Sequence, residues 1–297
     1  MINIAVLCTD EEAGLLEFTE KMPEDGRDGY VLWLSEEDAK LSAPDIVRGK
    51  TARTNRVDAT ENGLTGTFYF PAVLGEPYEF TVDTDFSHNM IIVSDRSKLR
   101  ALFEEEAQKQ ETYVGLLLAV LMRITSNDSE FLLKTEKEIY DFEEKLLENK
   151  SGSGNTKQIY HYRKLLLRLK QHYESLNDVS DCLTAMSANF TSADAALLSA
   201  FDRRVGRLVG KVSDLREYVT EIREAYQSQV DINQNRLMKT FTVIAAVFMP
   251  LQLVTGWYGM NLVMPETAFK WTYPIVAVVC AVFIGIFIWL CKRRKLF

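Results

Sequence analysis

Tyr258-Gly259-Met260-Asn261, residues 258–261, stands between two apolar stretches, and the fold is read outward from it. The stretch before it, residues 237–258, is interrupted only by Lys239; the stretch after it, residues 273–291, carries no charge. Each has about 20 residues, enough to cross a hydrocarbon layer of roughly 30 Å as a helix. Together they predict a two-span transmembrane α-helical hairpin with residues 259–272 as a short extracytoplasmic loop. A Gly and an Asn at the outer end of the first span fit a pore mouth better than a plain turn.

Charge divides the chain in the same place. Residues 231–297 hold Asp231 and Glu266 against seven Lys/Arg, a net of +5, so the remaining 230 residues carry −13 of the total −8. An acidic soluble portion, large enough for a proper core, is joined to a basic membrane tail. Lys292, Arg293, Arg294 and Lys295 close the second span, and Arg236 and Lys239 flank the first. The positive-inside rule therefore puts both termini in the cytoplasm of a multi-pass inner (plasma) membrane protein. The opening residues 1–9 read as a strand without the basic start of a cleavable signal. Cys8, Cys182, Cys280 and Cys291 show no metal-ligand spacing and read as free thiols. His88, His161 and His172 are dispersed and share no metal spacing either.

Residues 1–96 read as a cytoplasmic α/β subdomain. Strands are expected at 2–8, 30–34, 64–70, 78–82 and 90–93, with a hairpin connection at 71–77 around Gly75. Residues 97–192 read as a helical subdomain. Its first helix is expected across 98–125, with 113–124 too short to span a membrane and therefore buried. Two further helices, 129–149 and 156–187, are joined by the flexible Ser151-Gly152-Ser153-Gly154. After a polar break capped by Thr191 or Ser192, residues 193–258 read as one stalk helix continuing as the first span, about 100 Å long at 1.5 Å per residue. A helix of that length needs partners, and copies of the chain are the natural ones. The fold class is thus an α+β cytoplasmic domain, a very long helix and the hairpin.

Stepping by three and four through the first span collects Asn235, Met238, Thr242, Ala245, Met249, Gln252 and Gly256. This stripe is polar, small or thioether, while Phe241, Val243, Ile244, Val247, Phe248, Leu251 and Val254 are bulky and apolar. The stripe fits either a small-residue packing seam or a pore lining around a symmetry axis; Asn235, Thr242 and Gln252 on one line favour the pore. The stepping continues inward through Asp231, Ser228, Glu224, Glu221, Glu217 and Asp214. A solvated face would look the same, but its register with the membrane stripe favours a negative vestibule that concentrates cations. Beside it runs an apolar row, Leu208, Val212, Leu215, Val219, Ile222 and Tyr226, suited to packing on adjacent chains or helices.

Tyr258-Gly259-Met260-Asn261, then Met264-Pro265-Glu266, then a second span ending in a basic cluster, resembles the CorA family of magnesium transporters and channels. The resemblance is strongest over residues 220–297. It implies a funnel-shaped homopentamer in which first spans line the pore and second spans form an outer ring. It implies a mouth at Gly259, Met260 and Asn261, with the Asn261 carboxamide facing the hydrated ion. Asn235, Met238, Thr242, Met249 and Gly256 fall on the family's pore-lining positions, and Lys292–Lys295 would form a basic collar. The chain departs from the pattern in three ways. Gln252 replaces a common Thr, the loop after Asn261 is one residue shorter, and Ala200 takes one place of an acidic pair for regulatory magnesium. Asp194 and Asp202 lie near that place as substitute candidates.

The expected function is a passive, potential-driven Mg2+ channel, not an enzyme, with lipid, divalent cations and copies of itself as partners and no nucleic acid. No cofactor is expected, and no phosphate-binding Gly-Lys-Ser/Thr loop is present. Rings of Met238 and Met249 would close by dewetting. Transport of zinc, cobalt or nickel is the alternative within the class; Met260, where a zinc-transporting branch commonly has Val, favours magnesium. A non-conducting membrane-anchored sensor is the alternative outside it. Trp257, Tyr258, Trp271 and Tyr273 read as an interfacial aromatic belt.

Overall fold

The structure, a computed structural model, describes residues 5–9, 16–19, 30–42, 55–60, 63–75, 77–85, 89–148, 153–260 and 271–293. It divides into two compact units, Met1–Glu221 and Ile222–Phe297, with the boundary inside the long helix.

In the first unit seven strands form one mixed sheet in the order β2-β1-β3-β7-β6-β5-β4. They are β1 (Ala5–Thr9), β2 (Leu16–Thr19), β3 (Tyr30–Leu34), β4 (Arg56–Ala59), β5 (Gly63–Phe70), β6 (Tyr78–Asp85) and β7 (Asn89–Val93). Only β3 and β7 pair in parallel; the other ladders are antiparallel. The β5–β6 hairpin sets the register, with Phe68 opposite Phe80 and their rings stacked at 5.0 Å. Its connection turns at Gly75, whose φ of 141° suits glycine and strains other residues. Alternate residues of β5 and β6 are buried, as a half-covered strand requires. Strands β2 and β4 were not expected from sequence, being four residues each and lacking a β-branched run.

After α1 (Glu36–Ser42) come α2 (Ser97–Ala107) and α3 (Tyr113–Ile124). The single helix expected over 98–125 is thus two helices. Thr112 breaks the run: it is extended (φ −127°, ψ 151°) and its hydroxyl caps α3 by accepting from the Gly115 N–H. Helix α3 is buried nearly throughout, as its apolar composition demands. Phe103 of α2 is fully buried between Trp33 and Phe80, at edge-to-face centroid distances of 5.7 Å to each. Burial of such an aromatic contributes about 1.5–3 kcal/mol.

Three long helices complete the unit: α4 (Asp128–Glu148), α5 (Ser153–Ala185) and α6 (Ser192–Tyr258). Buried residues on α6 recur in alternating steps of three and four, Leu198, Phe201, Val205, Leu208, Val212, Leu215, Val219 and Ile222. That is the heptad spacing of a helix gripped along one seam. Of the two kinds of partner expected for the row from Leu208 to Ile222, adjacent chains or helices, the chain's own helices already cover it. Cross-links set the directions. Lys211 Nζ donates to Glu136 Oε1 at 2.6 Å, and Tyr218 donates to Glu143 one heptad on, so α4 and α6 run in parallel. Ser180 donates to Asp202, and Tyr162 to the Glu138 carbonyl, so α5 runs antiparallel to both. Beyond Ile222 no described residue of α6 is buried.

In the second unit α6 continues unbroken through Pro250 to Tyr258, and α7 spans Thr272–Arg293. Helix α6 is long and apolar enough to cross a membrane, and none of that apolar window is buried in the single chain. Helix α7 has an apolar run over Pro274–Phe287.

Candidate functional site

The stripe predicted along the first span is fully displayed. Asn235, Met238, Thr242, Ala245, Met249, Gln252 and Gly256 are all exposed. The half-covered residues of the same helix, Val243, Ala246, Val247, Pro250, Leu251 and Val254, lie on its far side at about 100° per residue. The bulky residues Phe241, Ile244 and Phe248 occupy a third face and are exposed as well. One helix therefore separates a polar row from two apolar faces, which is what a segment touching both water and lipid requires.

Hydroxyl geometry sharpens the polar row. The Thr242 hydroxyl donates to the Met238 carbonyl at 2.8 Å. Its hydrogen is thereby held inside the helix, and its oxygen presents only lone pairs outward, the correct polarity toward the water shell of a cation. Thr255 likewise donates to the Gln252 carbonyl at 3.1 Å. Met238 and Met249 are 61% and 67% exposed.

At the outer end the Gly259 N–H donates to the Thr255 carbonyl at 2.9 Å, and the Met260 N–H to the Trp257 carbonyl at 3.3 Å. A Cβ on Gly259 would come within 2.9 Å of the Thr255 oxygen. Glycine is therefore what lets the helix end in this close turn. Met260 is exposed. Asn261 and the loop to residue 270, including Met264-Pro265-Glu266, lie outside the described residues, as do Arg294 and Lys295. Of the basic cluster, Arg293 sits over the Trp289 ring at 5.3 Å, a cation–π contact at the end of an apolar helix.

The acidic row is exposed along its length, at Asp214, Glu217, Glu221, Glu224 and Asp231. In the second unit Glu224, Gln227, Ser228, Asp231, Ile232 and Asn235 line one open concavity of about 420 Å3. Asn235, the first residue of the predicted stripe, shares this concavity with Glu224 and Asp231. Gln227 donates to Asp231 at 3.4 Å, which steadies the carboxylate without neutralising it.

The two regulatory candidates are not brought together. Asp194 is buried, and its carboxylate accepts from the Thr112 and Thr191 hydroxyls at 2.6 and 2.7 Å and from the Thr191 N–H at 3.3 Å. The Asp194 N–H donates back to the Thr191 hydroxyl. This is a reciprocal capping box on α6 that also ties down the cap of α3. Its signal was in the sequence, as Thr191 followed three residues later by Asp194. Asp202, eight residues on, is exposed and accepts from Ser180. Among the described residues no group of three or more His, Cys, Asp or Glu is placed to hold a metal ion.

A buried polar cluster went unnoticed in the sequence because its members come from four elements. Asp128 opens α4, Tyr173 is buried on α5, and the Arg204 guanidinium of α6 donates to the Met122 carbonyl at 2.6 Å. Neither Asp128 Oδ2 nor the Tyr173 hydroxyl has a partner of hydrogen-bond geometry. Burial pushes the Asp128 carboxyl up to about 6, which nearby Tyr173 and Arg204 only partly offset. Burial also holds His172 down at about 4, a neutral ring against Asn55 and Phe70.

A family described as CorA-like Mg2+ transporter protein matches residues 81–293. The cobalt/magnesium transport protein CorA of Thermotoga maritima is 27% identical over 183 residues, 61% of this chain and 52% of that protein. The magnesium transport protein CorA of Wolinella succinogenes is 39% identical over 75 residues, 25% of this chain and 23% of that protein. The match thus spans about half the length of the first relative and less than a quarter of the second. The complete CorA magnesium transporter of Methanocaldococcus jannaschii has the same fold. Its TM-score is 0.71 at 17% identity, over 99% of this chain and 98% of that one.

Proposed function

Since the chain belongs to the family of CorA-like Mg2+ transporter proteins, we propose that it conducts Mg2+ passively through a membrane pore built from copies of its first span. The observation that carries this reading is the single exposed row from Asn235 to Gly256, joined at its inner end to an acidic concavity. Five copies arranged around an axis would turn that row into a channel wall, with the second span as a hairpin partner outside it and both termini in the cytoplasm. Lys292 to Lys295 would form the cytoplasmic collar.

Magnesium dehydrates reluctantly and favours oxygen ligands. A ring of Asn261 carboxamides at the mouth would hydrogen-bond the hydration shell without removing it. Below the mouth, Gln252, Thr242 and Asn235 would continue that contact, while Met249 and Met238 close the path when dry. A divalent ion gains about twice 2.3 kcal/mol per 100 mV, so inward flow needs no other energy source. The cytoplasmic carboxylates from Asp231 to Asp214 would hold the local cation concentration high. Regulatory magnesium at Asp194 is not part of this proposal, because that carboxylate already has hydrogen-bond partners in the cap.

Cobalt is the second cargo to test, since the Thermotoga maritima relative carries it in its name. Liposomes loaded with a magnesium-sensitive dye and held inside-negative by a potassium gradient separate the readings. The proposal expects dye response without ATP and a rate that rises with potential. A flat response from correctly inserted protein would favour the non-conducting sensor.

A further inference from the structure

The helical bundle carries a groove that the proposed pore does not use. It lies between α5 and α6, measures about 440 Å3, and is lined by Tyr160, Arg163, Lys164 and Leu167 from α5 and by Arg216 and Thr220 from α6. None of the three cations forms an ion pair among the described residues. Tyr160 is 66% exposed and Leu167 44% exposed. In a portion of the chain with a net charge of −13, three neighbouring unpaired cations beside two exposed apolar side chains form a surface awaiting an acidic cover.

An acidic cover exists on the same unit. Asp214, Glu217 and Glu221 are exposed on α6 and also form no ion pair among the described residues. They cannot turn into the groove of their own chain, because they point around the helix from it. At 3.6 residues per turn their mean direction lies about 110° from that of Arg216 and Thr220. A closed ring of five identical subunits needs its two contact faces about 108° apart on each subunit. The bisector of the two directions points away from the buried row of Leu208, Val212, Leu215 and Val219, so α4 and α5 would lie outside such a ring and not block it.

We infer that the basic groove between α5 and α6 of one subunit receives the Asp214, Glu217 and Glu221 face of α6 from a second copy of this chain. The inference rests on the reading of the chain as a ring-forming subunit and names the contact that closes the ring. The contact is heterologous, basic side to acidic side, and repeats head to tail around the axis. Exposed ion pairs contribute little individually. Their value here is registry, since any other rotation of the neighbour would bring acids onto acids. Glu217, nearest the bisector of the three acids, stays beside the axis while Asp214 and Glu221 reach the neighbour.

Two versions of the full-length protein, coexpressed with different affinity tags, test the contact. One has Lys164→Gln and keeps its acids. The other keeps Lys164 but has Asp214→Asn, Glu217→Gln and Glu221→Gln. Sequential purification on both tags isolates mixed oligomers, and a zero-length carbodiimide joins amines only to touching carboxylates. The expected product is a peptide linking Lys164 of one version to Asp214 or Glu221 of the other, lost at high salt as screening loosens the contact. Ring oligomers by native mass spectrometry with no such peptide would overturn the groove contact and leave the ring standing. Monomers or dimers alone would remove the ring, and the contact with it.

Discussion

Asp128 shows how one buried carboxyl makes stability depend on pH. Its folded-state value near 6 lies above the ordinary carboxyl value of 3.8 because burial penalises the charge. At pH 7 the folded protein therefore carries a charged group at a cost on the order of 2–3 kcal/mol relative to the neutral form. As pH falls through 6 toward 3.8, the folded state takes the proton first and this penalty is relieved. His172 acts oppositely: its value near 4 lies below 6.5, so stability is lost as pH falls between those values. Comparing variants separates the two. Asp128→Asn should raise the thermal midpoint of the full-length protein at pH 7, and the advantage should shrink by pH 5. An advantage that grew toward acid would contradict the burial argument. Gating is a residue-scale matter too. Met249→Ser should wet the constriction and raise resting Mg2+ flux in liposomes, whereas unchanged flux with intact assembly would move the gate to Gln252 or Met238.

Among the elements, the acidic row is the one whose role the ionic strength can decide. Replacing Glu224 and Asp231, which the subunit contact does not use, by Gln and Asn should lower conductance more at low salt than at high, because the Debye length shrinks from about 30 Å at 0.01 M to about 8 Å at 0.15 M. A salt-independent drop would point to damaged assembly. Elements also differ in how legible they were. The stalk helix was plain, since its N-terminal cap, its lack of proline before Pro250 and its apolar row all point to one helix of the 67 residues observed. Strand β3 was plain as well, being the β-branched and aromatic run Tyr30–Leu34. Strands β2 and β4 were not, because a four-residue strand gains its identity from the neighbours it pairs with. The break at Thr112 was hidden by the apolar run after it, although Thr112 is a good cap residue. The polar row of the first span was readable by spacing alone. The groove of Arg163, Lys164 and Arg216 was not, because it joins two antiparallel helices at positions about 50 residues apart in a heptad-packed bundle.

For the molecule as a whole, exposed apolar surface is concentrated in the second unit. Phe241, Phe248, Leu253 and Trp257 on α6 and Val278, Val279, Val282 and Ile286 on α7 are more than half exposed, a surface suited only to lipid and to other helices. The acidic −13 and basic +5 halves of the chain fit a pore that draws cations into a basic-collared membrane segment. Whether Asn261 would hold a hydrated Mg2+ at the mouth of the proposed pore is decided by comparing two proteins. Wild-type protein and Asn261→Ala are reconstituted in dye-loaded liposomes at a fixed inside-negative potential, with and without cobalt(III) hexaammine, an inert octahedron resembling hydrated magnesium. The expected outcome is Mg2+ uptake by the wild type, its block by the hexaammine, and loss of uptake in Asn261→Ala with the oligomer intact. Normal uptake by Asn261→Ala would contradict it and leave the signature as a turn that merely joins two spans.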